Sequence, residues 1–226
     1  MADHPLDYPI WTALTTRQAP LAEGGALARR FPSDIAPFAA LKDETPESFA
    51  ALHALLPNEA VGVLFTPEPP TLPDSFETVM ASTGEQMIGM PADVAANVPL
   101  VTLGGDDVPA MIELVELTKP GPFSKRTHTL GTFLGIKIDG RLAAMTGERM
   151  KPGNYTELTA VCVHPDFRGR GYAQILLSAV ARRIVARGEI PFLHVFSNND
   201  SAIALYRRQG MEIRRRIHVT VLRKRI

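Results

Sequence analysis

The sequence feature that most constrains the fold is a glycine-rich turn, residues 168–173 (RGRGYA), between two regular elements. Residues 156–163 before it form an apolar run typical of a buried strand. After it, residues 173–184 carry an apolar stripe at helical spacing. A strand, a glycine-rich turn and a helix in this order can cradle phosphates, because the first helix amides point outward unpaired. Arg168 and Arg170 add full positive charge beside those amides.

Two common phosphate-binding motifs do not fit this turn. It lacks the G-x-G-x-x-G pattern of dinucleotide-binding folds and the Gly-Lys-Ser/Thr of the P-loop. The surrounding sequence predicts a hairpin at Asp139-Gly140, between strands 129–138 and 141–149. From residue 101 onward the predicted order is β-α-β-β-β-α-β-α-β, with residues 212–225 returning as one or two strands, which is a mixed sheet with helices on its faces.

Composition divides the chain near residue 100. Residues 1–100 carry a net charge of −9 and residues 101–226 a net charge of +9, and 16 of the 19 prolines precede residue 126. We therefore predict an acidic, proline-rich N-terminal region of unclear origin over 1–100 and a second domain over 101–226. The opposite charges indicate mutual attraction of the two regions, an anionic ligand on the basic one, or both.

The N-terminal region gives weaker signals than the second domain. Its first 25 residues look irregular, and we expect the region to pack on the core and to help form a substrate pocket. The elements predicted within it are a short strand, a helix, and three further strands: 26–31, 46–56, 60–65, 76–80 and 85–90.

Several classes of protein are excluded or disfavoured by composition. The single cysteine, Cys162, excludes a disulfide framework within the chain, and the six histidines show no metal-ligand spacing, so we expect no metal. We see no secretory signal and no membrane-length apolar run, which favours a cytoplasmic protein without membrane contact. The basic tail, 207–226, lacks interleaved aromatic residues, so a nucleic-acid partner is disfavoured.

Two motifs in the second domain resemble those of the GNAT acyltransferase superfamily. The family's signature for the acetyl-CoA pyrophosphate is Arg/Gln-x-x-Gly-x-Gly/Ala, and it is matched by Arg168, Gly171 and Ala173. The stretch NDSAIALYRRQGM is similar to the family's Asn-x-x-Ala-x-x-Leu-Tyr…Gly-Phe. It matches at Asn199, Ala202, Leu205, Tyr206 and Gly210. The branch that this chain resembles most contains bacterial acetyltransferases akin to glycine N-acyltransferase.

The resemblance implies a fold, a cofactor and a set of binding residues. The fold is α/β, with a mixed, mostly antiparallel sheet whose fourth and fifth strands splay apart to admit coenzyme A. Acetyl-CoA is then the acyl donor, and its pantetheine arm pairs with the fourth strand. The residues implied in cofactor binding are Val161, Cys162, Val163, Arg168, Gly169, Arg170, Gly171, Tyr172, Ala173 and Asn199.

Direct acetyl transfer to an amine needs a base and a proton donor. Glu157, in the fourth strand, is our candidate base, and its alternatives are an exposed residue near the turn at Asn154 or a structural partner of an arginine. His194 is the second candidate base, and ordered water is the third. The resemblance assigns Tyr206 as the proton donor to the departing thiolate, whereas its alternative role is packing. Cys162 is read as a packing residue rather than a nucleophile.

The sequence thus predicts an acetyl-CoA-dependent N-acetyltransferase acting on a small-molecule or peptide amine. The alternative is a CoA-binding regulatory or interaction module that has lost catalysis, and a basic nucleic-acid-binding protein is a more distant one. The identity of the amine stays open, and the N-terminal region has a second reading as a dimerisation element, so a homodimer is compatible with the sequence.

Overall fold

The computed structural model describes residues 4–225, which form eleven strands and five α-helices. The helices are α1 Pro9–Thr15, α2 Pro46–Leu55, α3 Val108–Thr118, α4 Tyr172–Ala186 and α5 Asp200–Arg208. The strands before residue 100 are β1 Glu23–Gly24, β2 Ala28–Arg30, β3 Ala39–Leu41, β4 Val61–Thr66 and β5 Phe76–Ile88. Those after it are β6 Val101–Leu103, β7 Phe133–Ile138, β8 Arg141–Glu148, β9 Tyr155–Val163, β10 Ile190–Phe196 and β11 Glu212–Lys224.

Eight of these strands form one sheet in the order β4-β11-β5-β10-β9-β8-β7-β6. We call β6, β7, β8 and β9 the hairpin half, because each pairs antiparallel with its neighbour along the chain. We call β4, β11, β5 and β10 the interleaved half, because strands from the two ends of the chain alternate there. The halves meet at β9 and β10, which run parallel. The predicted mixed, mostly antiparallel α/β fold is therefore confirmed.

The hairpin half follows its sequence signals closely. Asp139 and Gly140 both take positive φ values, 49° and 79°, and join β7 to β8 as the Asp-Gly signal predicts. A three-stranded sheet, β1-β2-β3, lies beside the large one, and α2 packs there with Phe49 and Leu52 buried. Thr45 begins α2 by accepting a hydrogen bond from the Ser48 amide at 3.3 Å.

Two predictions for the N-terminal region were wrong. Residues 1–25 were expected to be irregular, but α1 lies there, held by the burial of Ile10, Ala13 and Leu14 in the core. The two short strands predicted at 76–80 and 85–90 are one strand, β5, of thirteen residues. The middle of β5 is exposed, so the sequence shows no buried-strand pattern there. Pairing with β11 along nearly its whole length keeps it extended. The domain boundary near residue 100 stays a prediction.

The sheet is covered on both faces, as its apolar residues require. Helix α4 buries Leu176, Leu177 and Val180 in the largest core cluster. A separate cluster under α3 contains Cys162 of β9 and Met111. The third large cluster joins α1 to the interleaved half. β9 is consequently buried from both sides and lies at the centre of the molecule.

Candidate active site

A cavity of about 670 Å³ opens where β9 and β10 part. The two strands are paired only as far as Glu157 and Phe192 and then diverge. Residues 158–161 of β9 and 193–196 of β10 line the opening. The splay that the resemblance implied is therefore present, and its vertex lies at Glu157.

A bulge distorts β9 beside this vertex. Two steps of β8, from Met145 to Gly147, are matched by three steps of β9, from Cys162 to Thr159. The extra residue is accommodated at Ala160, which takes a φ of 51°. This conformation costs a non-glycine residue of order 1 kcal/mol or more and is found disproportionately at functional sites. The bulge interrupts regular pairing with β8 on the stretch of β9 that lines the cavity.

The glycine-rich turn lies beyond the outer end of β9, outside the cavity lining. Gly169 and Gly171 take φ values of 77° and 75°, which L-residues adopt only under strain, and Gly171 leads into α4. Space for an added Cβ is open at Gly169. Arg168 and Arg170 are exposed, and the Arg170 guanidinium lies 5.3 Å from the Phe167 ring centre. The turn therefore offers an open, basic helix start, as predicted.

Glu157 lies fully buried at the vertex, and its carboxylate is surrounded by donors. Arg149 binds it in bidentate fashion, with Nε 2.8 Å from Oε2 and Nη2 2.7 Å from Oε1. The amide of Met150 donates to Oε2 at 3.3 Å, and Nδ1 of His194 lies 2.7 Å from Oε1. The arginine partner that the sequence left as an alternative is thus present.

Gln86 of β5 fixes the tautomer of His194. Its amide oxygen accepts from Arg214 at 2.9 Å, and its amide nitrogen donates to the Leu6 carbonyl at 2.8 Å. The same nitrogen lies 3.1 Å from His194 Nε2, which must therefore accept. Nδ1 then carries the hydrogen and donates it to Glu157. Sequence reasoning missed Gln86, although a lone glutamine in the apolar run QMIGM was a signal.

The ionisation of these groups follows from their surroundings. Burial alone would raise the pKa of Glu157, but the charge and hydrogen bonds of Arg149, with those of His194, lower it to about 2. Burial raises the pKa of the Cys162 thiol to about 12, so no thiolate nucleophile is available near neutral pH. Burial, with a smaller contribution from nearby Cys162, also raises the pKa of Tyr206, which keeps its phenol protonated.

Tyr206 and Asn199 both reach the cavity from α5. Asn199 caps the helix, its side-chain oxygen accepting from the Ala202 amide at 3.2 Å, which leaves its amide nitrogen free to donate. Among residues 4–225, no group hydrogen-bonds the Tyr206 hydroxyl. Both residues line the cavity, as the spacing of two helical turns predicts.

The predicted pantetheine strand is only partly exposed to the cavity. Val161 lines it, whereas Cys162 points into the cluster under α3 and Val163 packs with the α4 cluster. Any pairing of a ligand with residues 161–163 would therefore use the backbone. The N-terminal region supplies part of the cavity wall through Phe38 and Phe65, which sequence reasoning missed.

The described residues hold neither a metal-binding cluster nor a membrane-spanning helix. Within residues 4–225, no group of three or more His, Cys, Asp or Glu side chains is placed to hold a metal ion. In the same part of the chain, no helix combines the length and the apolar composition that crossing a bilayer requires.

Comparison with known proteins identifies the family. The model of FR47-like proteins matches residues 133–219. A crystal structure of a GNAT-family protein from Novosphingobium aromaticivorans is 40% identical, with a TM-score of 0.91, over 99% of this chain and 100% of that one. The chain therefore belongs to the GNAT acetyltransferase family. The narrower resemblance to glycine N-acyltransferase stays a prediction.

Other relatives match part of the chain or share its fold. Acetyltransferases from Yersinia enterocolitica and Pectobacterium atrosepticum are 39% and 44% identical over 92 residues. That match spans 39% of this chain and 62% of each relative. A GCN5-related N-acetyltransferase from Kribbella flavida shares the fold, with a TM-score of 0.61 at 14% identity over 94% of this chain and 95% of that one.

Proposed function

We propose that the protein is an acetyl-CoA-dependent N-acetyltransferase that moves acetyl directly from the thioester to an amine. The observation that carries the proposal is the cavity at the splay of β9 and β10. It brings together an imidazole, a protonated phenol and a free side-chain amide, from His194, Tyr206 and Asn199. An acyl transfer needs a proton acceptor and a proton donor close together, and groups suited to both roles line this cavity.

The donor would extend from the cavity along β9 to the glycine-rich turn. Residues 161–163 lie between the vertex and the turn, so an extended pantetheine arm can follow their backbone. Its phosphates would then meet the first amides of α4, with Arg168 and Arg170 beside them. Gly169 and Gly171 leave room for that approach.

The proton of the incoming ammonium would go to His194. The contacts of Glu157 favour a positioning role for it, because Arg149, Met150 and His194 already donate to its two oxygens. Nε2 of His194 is the nitrogen that can accept a proton. To do so, it would give up its hydrogen bond from the Gln86 amide and accept one from the amine. Glu157 then stabilises the imidazolium at 2.7 Å. Glu157 as the base itself stays a prediction from the sequence.

The free amine attacks the thioester carbonyl and a C–N bond forms. The nitrogen of the tetrahedral intermediate then gives up its second proton to solvent, and the C–S bond breaks as the intermediate collapses. The electron pair of that bond leaves on sulfur. Tyr206 can stabilise the thiolate and hand it the phenolic proton, which solvent then replaces. Its hydroxyl is available for this, since no group in residues 4–225 holds it.

The test is an acetylation assay of the full chain with acetyl-CoA and a panel of primary amines. We expect released thiol and N-acetyl product in equal amounts. Their loss together in His194→Gln, with acetyl-CoA affinity retained, would support the assigned base. Binding of acetyl-CoA with no amine acetylated by the wild type would contradict the proposal and favour a CoA-binding module without catalysis.

A further inference from the structure

The cavity extends past the splay onto the interleaved half, and this extension is apolar. We call it the acceptor lobe and define it by six lining residues. They are Phe38 just before β3, Val63 and Phe65 of β4, Met80 of β5, and Val219 and Val221 of β11. The Phe38 and Phe65 ring centres are 5.2 Å apart, and Phe65 lies 4.8 Å from the His194 ring. The aromatic wall therefore runs from the reacting centre into the lobe.

The lobe offers no partner for a second cation. Of the charged side chains that line the cavity among the described residues, Glu116 and Lys119 belong to the end of α3, which contributes none of the residues that define the lobe. The third, Arg149, is positive and already bound to Glu157. An ammonium placed in the lobe would lose its hydration without gaining a carboxylate, which is costly in an apolar site.

Arg149 keeps one donor for a ligand. Its side chain is 8% exposed and lines the cavity. Nε and Nη2 bind Glu157, and the guanidinium carbon lies 4.6 Å from the Phe38 ring centre, so the group is held firmly. Within residues 4–225, Nη1 has no hydrogen-bond partner. Because Glu157 balances the arginine charge, a neutral oxygen suits this donor better than a carboxylate.

We infer that the acceptor is a primary amine with one apolar, uncharged substituent and a neutral carbonyl oxygen that accepts from Arg149, as in the amide of an apolar amino acid. The inference rests on the proposed function. The apolar substituent packs against the wall that Phe38 and Phe65 form, and the amine faces His194. Polyamines and other multiply charged amines are excluded by the lobe.

Two matched pairs of acceptors test this on the full chain, with rates expressed per unprotonated amine. Hexylamine and 1,6-diaminohexane differ by a terminal ammonium, and we expect kcat/KM to be at least ~10-fold higher for hexylamine. Phenylalanine amide and phenethylamine differ by the carboxamide, and we expect about a 10-fold advantage for the amide from one hydrogen bond to a charged donor. Equal or reversed preferences in either pair would overturn the inference.

A variant checks the location of the lobe without disturbing the buried ion pair. Met80 lines the lobe yet is 41% exposed, so it tolerates a charge. Met80→Glu should raise the diamine-to-monoamine ratio of kcat/KM about 5-fold or more, and Met80→Gln should not. An unchanged ratio in Met80→Glu would overturn the lobe assignment. Preferred acetylation of diamines by the wild type would overturn the inference and leave the acetyltransferase standing, whereas acetylation of no amine would overturn both.

Discussion

The two halves of the large sheet are assembled in different ways. In the hairpin half, β6 to β9 pair in chain order, with short connections from β7 to β8 and from β8 to β9 and with α3 between β6 and β7. In the interleaved half, β5 from the N-terminal region lies between β10 and β11, and β4 closes the edge beyond β11. The hairpin half carries the cofactor motif, and the interleaved half carries the acceptor lobe. The site lies where β9 and β10 meet. It can therefore join a donor side, whose motifs are recognisable in the sequence, to an acceptor side that no sequence motif reveals.

The largest expected effect concerns removal of the N-terminal region. A chain that begins at Val101 lacks β5, the strand that pairs with β10 over residues 84–88 and with β11 from Phe76 to Ile88. We expect it not to fold, which circular dichroism and thermal unfolding would show. Mixing it with a separately produced 1–100 fragment should restore both the fold and the cooperative transition. A stably folded 101–226 chain would show that the second domain does not need the N-terminal region to fold.

The next largest effect is on stability and is expected at Glu157, where β9 and β10 meet. Glu157→Gln leaves Arg149 buried without its anion and should lower the free energy of unfolding at pH 7 by about 3–5 kcal/mol. Because the folded-state pKa of Glu157 is about 2, below its ordinary value, the wild type loses this contribution as the pH falls from about 5 toward 2. Denaturant titrations at pH 7, 5 and 3 should therefore show the free energies of unfolding of the wild type and of Glu157→Gln converging as the pH falls.

A surface pair provides the control for that experiment. Asp34 binds Arg126 at 3.1 Å, and both side chains are about half exposed. Asp34→Asn should change the stability by about 0.5 kcal/mol or less. A constant difference between wild type and Glu157→Gln at all three pH values would contradict the assigned ion pair.

The third prediction tests α5, which connects β10 to β11 in the interleaved half. Tyr206→Phe removes only the hydroxyl, so kcat should fall about 10–10³-fold, in or near the range of general-acid contributions. Acetyl-CoA affinity and stability should stay close to those of the wild type, because the ring still packs. Single-turnover kinetics measures the rate of the chemical step, isothermal calorimetry the acetyl-CoA affinity, and thermal unfolding the stability. Unchanged kcat with chemistry rate-limiting would make Tyr206 a packing residue.

The smallest effect is on the cofactor side. Arg168 is exposed at the glycine-rich turn, and Arg168→Ala should weaken acetyl-CoA binding by about 1–3 kcal/mol, the range for losing a charged hydrogen bond. Arg183, on the opposite end of α4, is a matched exposed arginine, and Arg183→Ala should leave the affinity unchanged. Equal losses in both variants would indicate a general charge effect.

The difference between the halves explains what the sequence could reveal. Asp139-Gly140 and the helix ends at Gly188 and Gly210 are local signals, and the order of elements after residue 101 was predicted from them. The position of β5 is not local, because pairing across more than 100 residues leaves no pattern in either strand. Gln86 enters the site through that pairing and Phe65 through the similarly distant pairing of β4 with β11, so their roles could not be read from the chain.

The splay of β9 and β10 as the acetyl-CoA site is the central claim, and amide hydrogen exchange tests it most directly. With saturating acetyl-CoA, we expect slower exchange in residues 158–163 and at the start of α4, residues 172–175. Exchange in β6 and β7, at the far edge of the sheet, should stay unchanged. Protection confined to β4 and β11, or equal slowing over the whole sheet, would contradict the claim.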